Sequence, residues 1–364
     1  MTLRRTLLTA HLIIGATLAP VLVVLGITGA ILAVQPELED ASNSLLTHLE
    51  PGSAPLSLQD LTARLQTKYP GAELTSVRFP ERPDRALLVT IHRPDSADAD
   101  LVVNPYSGVV LGLGEEIWSL RPVHNLHTKL LVDSFGSEIT GWAAVGLLFL
   151  SVSGLVLWWP GKILTIVRSG SSRRILLHLH SALAAYSWIA LLLFGLTGIV
   201  LHWQRDAYDL IAKATHAAPV PDGSGLPSAS CKAERAAGFD QLLAAAAAVQ
   251  PGAQATWIEA GRDPGAPVRV AMRYPGDRTP AGRTSVFLDP CSGTVLANLS
   301  TRTAPLAYRL VRQWNREVHT GDIWGWPTRV LAFLFSLTLP VVSVTGPLLW
   351  WSRRGREGGR AEWR

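Results

Sequence analysis

The sequence predicts a membrane protein of four transmembrane helices in two tandem repeats, each repeat carrying a small α+β domain outside the membrane. Three observations carry this prediction: four long apolar stretches, few charged residues, and motifs that recur at matched spacings. Charged residues make up 17% of the 364 residues, against roughly 25% in an average soluble domain. This composition excludes a disordered or nucleic-acid-binding tail protein, so we expect no nucleic-acid partner, and it argues against an ordinary cytosolic enzyme.

Four apolar stretches are each long enough to cross a bilayer, which takes about 20 residues. Arg4 and Arg5 precede the first stretch, as in a signal peptide, but its length and the three later spans predict a retained helix. The predicted helices occupy 1–34, 139–159, 176–203 and 327–351. The segments between and after them are two long loops, 35–138 and 204–326, a short loop, 160–175, and a tail, 352–364.

Lysine and arginine predict the orientation of these helices. The N-terminus, the short loop and the tail together carry 11 basic residues and two acidic ones. Because basic segments stay in the cytoplasm, we expect both termini and the short loop there and the two long loops on the opposite side. The second long loop contains both cysteines, Cys231 and Cys291, which an oxidising compartment would let pair. Two free thiols are the alternative.

Internal duplication is the most informative feature of the sequence. A Gly-x-Thr-Gly motif occurs in the first and third spans, and a histidine stands 18 residues before the last glycine of each. A Gly-x-x-Leu-Trp-Trp motif ends the second and fourth spans, and a His-Thr pair begins 27 residues before its glycine. The histidine and glycine pairs are His11 and Gly29, His180 and Gly198, His127 and Gly154, and His319 and Gly346.

The two long loops repeat as well. A helix is predicted to begin after Ser57, a plausible N-cap, and another to cover Phe239–Val249. Strand-like alternation follows at 86–92 and 268–274. Hairpin turns then follow at Asn104-Pro-Tyr-Ser-Gly and Asp289-Pro-Cys-Ser-Gly. Each repeat is therefore expected to contain a membrane helix, a small α+β domain and a second membrane helix.

These motifs resemble a known family. The two hairpin turns resemble those of PepSY domains, and the Leu-His-Thr and Val-His-Thr segments with the Trp-Trp helix ends resemble PepSY-associated transmembrane proteins. The resemblance covers nearly the whole chain. It implies a periplasmic PepSY-like domain in each repeat and a location in the bacterial inner membrane. It also implies iron regulation and similarity to ferric-siderophore reductases that carry haem.

Seven of the ten histidines lie in or beside the predicted membrane helices, where an ionisable group is a functional candidate by default. Neutral imidazole is the natural axial ligand of a b-type haem. Histidine pairs at two depths predict two b-type haems, the inner one held by His11 and His180. For the outer haem, His127, His319 and His202 are three candidates for two axial positions, and the sequence leaves open which two bind.

Weaker candidates lie near these positions. His124 and His178 are weaker cofactor ligands, and Arg121 is a candidate partner for a haem propionate. Three tryptophans are candidates for substrate contact, with interfacial anchoring as the alternative. They are Trp118, Trp324 and Trp326.

The sequence therefore predicts a haem-dependent ferric-chelate reductase that moves electrons across the membrane to a ferric siderophore in the periplasm. The sequence has no Cys-x-x-Cys-His motif, which excludes c-type haem. It has no strand-linked Gly-x-Gly-x-x-Gly and no Walker motif, so the electron donor is expected to be quinol or a separate flavoprotein. Two alternatives are a non-enzymatic membrane protein that binds a peptide or periplasmic partner, and a transporter of iron or its chelate.

Overall fold

The chain forms two compact units in a computed structural model. We call them the helix unit, Met1–Gln35, Leu120–Leu210 and Trp314–Arg364, and the sheet unit, Pro36–Ser119 and Ile211–Gln313. The structure describes residues 3–43, 46, 48–93, 96–114, 119–218, 220–221, 223, 225–227, 237–261, 263, 265–279 and 282–361.

Among the described residues, four helices are long and apolar enough to span a membrane. They are α1 (Leu3–Ala33), α5 (Asp133–Trp158), α6 (Ser172–His202) and α11 (Trp326–Ala361). The prediction of a membrane protein with four such helices is confirmed. Helices α5 and α6 begin before the first residue of the predicted apolar stretch, because polar residues such as Asp133 and Ser172 continue the helical backbone beyond it.

Shorter helices lie between these spans. They are α2 (Gln35–Ser42), α3 (Leu58–Lys68), α4 (Arg121–Lys129), α7 (Gln204–Thr215), α8 (Phe239–Val249), α9 (Leu306–Tyr308) and α10 (Asn315–Thr320). A π-helical turn, Arg309–Trp314, joins α9 to α10, and a 3-10 turn, Asp322–Trp324, precedes α11.

In the helix unit, α1 packs against α5 and α11, and α6 packs against the same two helices. The four spans therefore form a closed ring. Its buried apolar centre receives at least one side chain from every span, and the van der Waals contacts of this centre favour association of the four helices. The residues are Leu22, Ala143, Leu147, Leu191 and Leu339.

Glycines allow the closest helix contacts in this unit. A Cβ added to Gly26 of α1 would lie 2.9 Å from the carbonyl oxygen of Ser336 on α11. A Cβ added to Gly195 of α6 would lie 2.9 Å from the backbone nitrogen of Leu148 on α5. The first glycine of each Gly-x-Thr-Gly motif is thus required by close backbone approach, as small residues often are between membrane helices.

The sheet unit contains one antiparallel sheet of eight strands in the order β4-β3-β2-β1-β5-β6-β7-β8. The strands are β1 (Glu73–Arg78), β2 (Leu87–Arg93), β3 (Ser96–Val103), β4 (Val110–Leu113), β5 (Gln254–Glu259), β6 (Val268–Arg273), β7 (Thr284–Leu288) and β8 (Val295–Leu299). Each long loop supplies four consecutive strands. The two sets join where β1 pairs with β5, with Val77 opposite Ile258.

The predicted elements of the long loops agree closely with the structure. Ser57 caps α3 by accepting a hydrogen bond from the backbone N–H of Asp60, and α8 has the predicted bounds. The predicted strands at 86–92 and 268–274 correspond to β2 and β6. Side chains from α3 and α8 pack with one face of the sheet into a single apolar core that includes Leu61 and Leu242.

Candidate functional site

His127 and His319 lie side by side in the helix unit, and we call them the outer pair. Their ring centroids are 6.3 Å apart and their planes are inclined at 66°. His127 is on α4 and His319 is on α10, so both belong to short helices outside the apolar spans. The structure therefore brings together two of the three histidines that the sequence proposed for the outer haem.

Polar contacts fix the two short helices against the spans. The hydroxyl of Thr140 on α5 donates to the carbonyl oxygen of Thr128 at 2.9 Å, which ties α4 to α5. The side-chain amide of Asn315 donates to the carbonyl oxygen of Thr197 at 3.1 Å, which ties α10 to α6. Both hydrogen bonds end on a backbone carbonyl oxygen. They therefore restrain the position of each histidine along the neighbouring span.

Each histidine of the outer pair contacts a Thr-Gly dipeptide on a span. The Nδ1 atom of His127 is 2.8 Å from the hydroxyl oxygen of Thr28, and a Cβ added to Gly29 would lie 3.3 Å from Cε1 of the same ring. The Nδ1 atom of His319 is 2.8 Å from the hydroxyl oxygen of Thr197. The second glycine of the Gly-x-Thr-Gly motif therefore makes room for an imidazole.

His11 and His180, which we call the inner pair, repeat this contact with other helices. The Nδ1 atom of His11 on α1 is 2.8 Å from the hydroxyl oxygen of Ser153 on α5. The Nδ1 atom of His180 on α6 is 3.0 Å from the hydroxyl oxygen of Thr345 on α11. Cβ atoms added to the following residues, Gly154 and Gly346, would each lie 3.4 Å from Cε1 of the facing ring.

Four histidines thus contact four hydroxyl-Gly dipeptides, each on a different span.

Hydrogen bonding assigns the tautomer of these rings. A hydroxyl has one hydrogen to donate, and the hydroxyl of Thr28 donates it to the carbonyl oxygen of Val24 at 2.7 Å. The hydroxyls of Ser153, Thr197 and Thr345 likewise donate to carbonyls four residues earlier, at 2.7, 2.5 and 2.8 Å. Each hydroxyl oxygen must then accept from the histidine, so Nδ1 carries the hydrogen and Nε2 carries the lone pair.

A carbonyl beside one of the rings supports this assignment. The carbonyl oxygen of Val342 lies 3.0 Å from Nδ1 of His180. A carbonyl oxygen can only accept a hydrogen bond. Nδ1 of His180 therefore donates, and its Nε2 is the nitrogen with coordinating capacity.

Burial keeps the outer pair neutral. Desolvation lowers the pKa of His127 to about 4, and the nearby His124 acts in the same direction. Desolvation also lowers the pKa of His319 to about 3, with further contributions from His127 and Arg316. Two neutral imidazoles can therefore lie next to each other at neutral pH without charge repulsion.

The separation of the outer pair is compatible with two imidazoles that bind one haem iron. Two imidazole nitrogens bound on opposite faces of one iron at about 2 Å each would set ring centroids about 6 Å apart. The observed separation of 6.3 Å agrees with this value. Histidines that bind metals almost always donate their second ring N–H to a neighbouring acceptor, as the Nδ1 atoms of both pairs do.

The structure gives His202, the third candidate for the outer haem, different neighbours. Its Nδ1 is 3.4 Å from the hydroxyl of Ser137, and its Nε2 is 3.5 Å from a carboxylate oxygen of Glu138. Its ring packs against Trp203 with centroids 4.4 Å apart. The assignment of His202 as a haem ligand stays a prediction, and these contacts favour the other two histidines.

The weaker candidates differ in their surroundings. His178 donates from Nδ1 to the carbonyl oxygen of Thr165 at 2.8 Å, which secures the short loop. Burial lowers the pKa of His124, with Arg316 and Lys129 acting in the same direction. Arg121 is the exposed first residue of α4, two turns before His127.

Trp324 and Trp326 are 75% and 57% exposed, on either side of Gly325. Such exposure suits either substrate contact or anchoring at a membrane interface. Trp118 and Cys231 lie outside the described residues. Cys291 lies in the turn between β7 and β8. Because Cys231 is not described, the disulfide between the two cysteines stays a prediction.

The sequence analysis missed the hydroxyl residues that contact the histidines. They are Thr28, Ser153, Thr197 and Thr345. A signal for them was present, because each stands directly before one of the glycines of the repeated motifs. Their role was not apparent because a hydroxyl in a membrane helix commonly bonds to its own backbone, and only the tertiary contact reveals the histidine.

Comparison with known proteins agrees with the motifs. A family model described as the PepSY-associated TM region matches residues 8–353. No curated protein sequence matches the chain.

Proposed function

The chain belongs to the PepSY-associated TM region family, and from this premise we propose that it is a dihaem membrane oxidoreductase. It passes electrons across the bacterial inner membrane and reduces a ferric chelate, such as a ferric siderophore, in the periplasm. Two tandem repeats, each with a periplasmic PepSY domain, are part of this proposal. The outer pair would hold one b-type haem and the inner pair the other.

One observation carries the proposal: four histidines donate from Nδ1 to neighbouring groups and so direct their coordinating capacity to Nε2. A histidine that serves only as a packing residue does not need the same tautomer, the same hydroxyl partner and the same glycine contact at four places. The 6.3 Å separation of His127 and His319 adds a geometry that suits two axial ligands of one iron.

The residues around each pair would bind and insulate the cofactor. Bis-histidine haem, when bound, supplies reversible one-electron transfer. His127 and His319 would hold one haem, and their burial would keep water away from the coordinating nitrogens. His11 and His180 would hold the other haem near the N-terminal ends of α1 and α6. Arg121 is a candidate partner for a propionate.

Basic residues support the proposed orientation. The N-terminus, the short loop and the C-terminal tail carry 11 basic residues and two acidic ones. The positive-inside rule places them in the cytoplasm, together with the inner pair. The outer pair then lies towards the periplasm, on the side where the ferric chelate is reduced.

The proposed reaction adds one electron to a ferric chelate and yields the ferrous chelate. Ferrous iron carries less charge, so its bonds to hard oxygen ligands are weaker and the metal is released more readily. The exposed Trp324 and Trp326, together with Trp118, are the proposed contacts for the chelate. The electron comes from quinol or a separate flavoprotein, because the sequence has no nucleotide-binding motif.

The absorbance spectrum of the purified full chain tests this proposal. We expect Soret and α bands that sharpen on reduction with dithionite, and two haems per chain by pyridine haemochrome assay. The variants His127→Ala and His319→Ala should each lose one haem, and so should His11→Ala and His180→Ala. The matched control is His178→Ala, which removes an imidazole that bonds to the short loop, and it should keep both.

A chain that stays colourless after haemin is added would exclude haem-based reduction. Uptake of the chelate into vesicles without a reductant would favour the transporter alternative. Reduction itself is measured as formation of a ferrous–ferrozine complex from a ferric chelate after the haems have been reduced, with the His127→Ala variant as the negative control.

A further inference from the structure

The four hydroxyls that contact the histidines form a repeated arrangement to which no motif assigns a role. Thr28 and Thr197 serve the outer pair, and Ser153 and Thr345 serve the inner pair. All four residues are at least 95% buried, since the exposed fraction is 4% for Thr28, 2% for Ser153 and 5% for both Thr197 and Thr345. A buried hydroxyl that already bonds to its own helix does not need a second partner, so the histidine contact calls for an explanation.

Each hydroxyl links a backbone carbonyl to a histidine through two consecutive hydrogen bonds. Thr28 donates to Val24, and Ser153 donates to Phe149, both at 2.7 Å. Chains of hydrogen bonds polarise one another inside a protein. The hydroxyl oxygen therefore accepts more strongly from Nδ1–H than an isolated hydroxyl would, and this makes Nε2 a better electron donor.

The glycine after each hydroxyl lets the ring reach that position. Cβ atoms at Gly154 and Gly346 would lie 3.4 Å from Cε1 of His11 and His180, and a Cβ at Gly29 would lie 3.3 Å from Cε1 of His127. At Gly198 the corresponding distance to His319 is 3.7 Å. The hydroxyl-Gly dipeptide is thus one unit, in which the hydroxyl fixes the rotation of the ring and the glycine sets its approach.

We propose that Thr28, Ser153, Thr197 and Thr345 are positioning residues that fix the Nδ1–H tautomer and set the reduction potential of the haem held by the histidine each one contacts. This inference rests on the proposed dihaem function. A more electron-donating Nε2 stabilises ferric over ferrous iron, so each hydroxyl lowers the potential of its own haem. Thr28 and Thr197 act on one haem, and Ser153 and Thr345 act on the other.

Redox potentiometry of the purified full chain, followed by absorbance, tests this grouping. The variants are Thr28→Val, Thr197→Val, Thr345→Val and Ser153→Ala, which remove each hydroxyl at nearly constant shape. We expect a positive shift of one redox step in each variant, of up to about 59 mV, which is a tenfold change in a one-electron equilibrium. Thr28→Val and Thr197→Val should move the same step, and the other two variants should move the other step.

Matched controls separate a change of potential from a change of packing. Ser151→Ala removes a buried hydroxyl two residues from Ser153 that has no hydrogen-bond partner among the described residues, and it should move neither step. Thr28→Ser, Thr197→Ser and Thr345→Ser keep the hydroxyl and should restore the wild-type potentials.

The outcomes distinguish this inference from the proposed function. A wild-type chain that binds no haem contradicts the proposed function. A wild-type chain with two haems whose potentials do not change in any of the four variants overturns this inference and leaves the proposed function standing. Shifts that do not sort into the two groups also overturn it. If one variant loses its haem, the serine variant at the same site and the remaining sites still decide the question.

Discussion

The imidazoles of His127 and His319 lie with their centroids 6.3 Å apart, although the two residues are 192 positions apart in the sequence. Each ring donates its Nδ1 hydrogen to a threonine on a different span, Thr28 on α1 and Thr197 on α6. Each histidine is therefore held by a different span. The separation of the two rings is set by the packing of the helix unit rather than by a direct bond between them.

This geometry predicts that His202 is not an axial ligand. The Nε2 of His202 is 3.5 Å from a carboxylate oxygen of Glu138 on α5, so a carboxylate lies beside the nitrogen that an iron would need. We expect His202→Ala to retain two haems and an unchanged reduced spectrum, whereas His319→Ala loses one. Haem content per chain is the measurement, and loss of a haem from His202→Ala would show that His202 displaces His127 or His319.

Acid should destabilise the haem-free chain through the outer pair. In that folded chain the pKa values of His127 and His319 are lowered to about 4 and about 3, whereas an unfolded histidine has a pKa of about 6.5. The unfolded state therefore binds more protons below that value, and stability falls with decreasing pH. We expect the thermal midpoint to be nearly constant from pH 8 to 6.5 and to decrease progressively from there towards pH 4.

The pH prediction has its own control. Replacing both residues, as His127→Gln and His319→Gln, should flatten the acid limb of the profile, while His92→Gln in the sheet unit should leave it as in the wild type. His92 is exposed on β2 and pairs with Asp98. If the double variant keeps the full acid dependence of the thermal midpoint, groups other than His127 and His319 cause that dependence.

Close helix packing predicts opposite effects for two glycines of α1. In Gly26→Ala the new methyl group would lie 2.9 Å from the carbonyl oxygen of Ser336, and such overpacking costs about 1–3 kcal/mol. In Gly15→Ala it would lie 3.5 Å from Cδ2 of Leu150, an ordinary contact. We expect Gly15→Ala to be neutral or to gain up to about 1 kcal/mol from helix propensity.

Thermal unfolding of the purified chain in one detergent, monitored by circular dichroism, compares these two variants directly. Equal midpoints for Gly26→Ala and Gly15→Ala would mean that α1 and α11 are able to separate at this point without loss of stability.

Asp240 provides a test in the sheet unit. Its carboxylate accepts hydrogen bonds from the backbone N–H groups of Leu58 and Gln59, at 2.9 and 2.8 Å, and so caps α3 from the neighbouring α8. Loss of such a cap costs about 1 kcal/mol. We expect Asp240→Ala to lower the unfolding free energy by this amount without changing haem content. Glu73→Gln, at an exposed position on β1, is the control and should have no effect.

The sequence alone predicts the four spans, the bounds of α8 and the cap at Ser57, because apolar length, helical propensity and capping act over neighbouring residues. It also determined which histidines are equivalent, since matched spacings are visible without coordinates. It did not reveal that the strands of both long loops form one sheet, because the pairing of Val77 with Ile258 joins segments that are far apart in the chain.

Which histidines lie side by side, and which ring nitrogen of each is left to coordinate a metal, depends on the packing of the helices. His202 had the same standing as His127 and His319 in the sequence, and the packing of α6 against α5 placed it beside Glu138 instead. The roles of Thr28, Ser153, Thr197 and Thr345 likewise required the structure. A tautomer depends on hydrogen bonds between different helices, and no local pattern encodes which helices become neighbours.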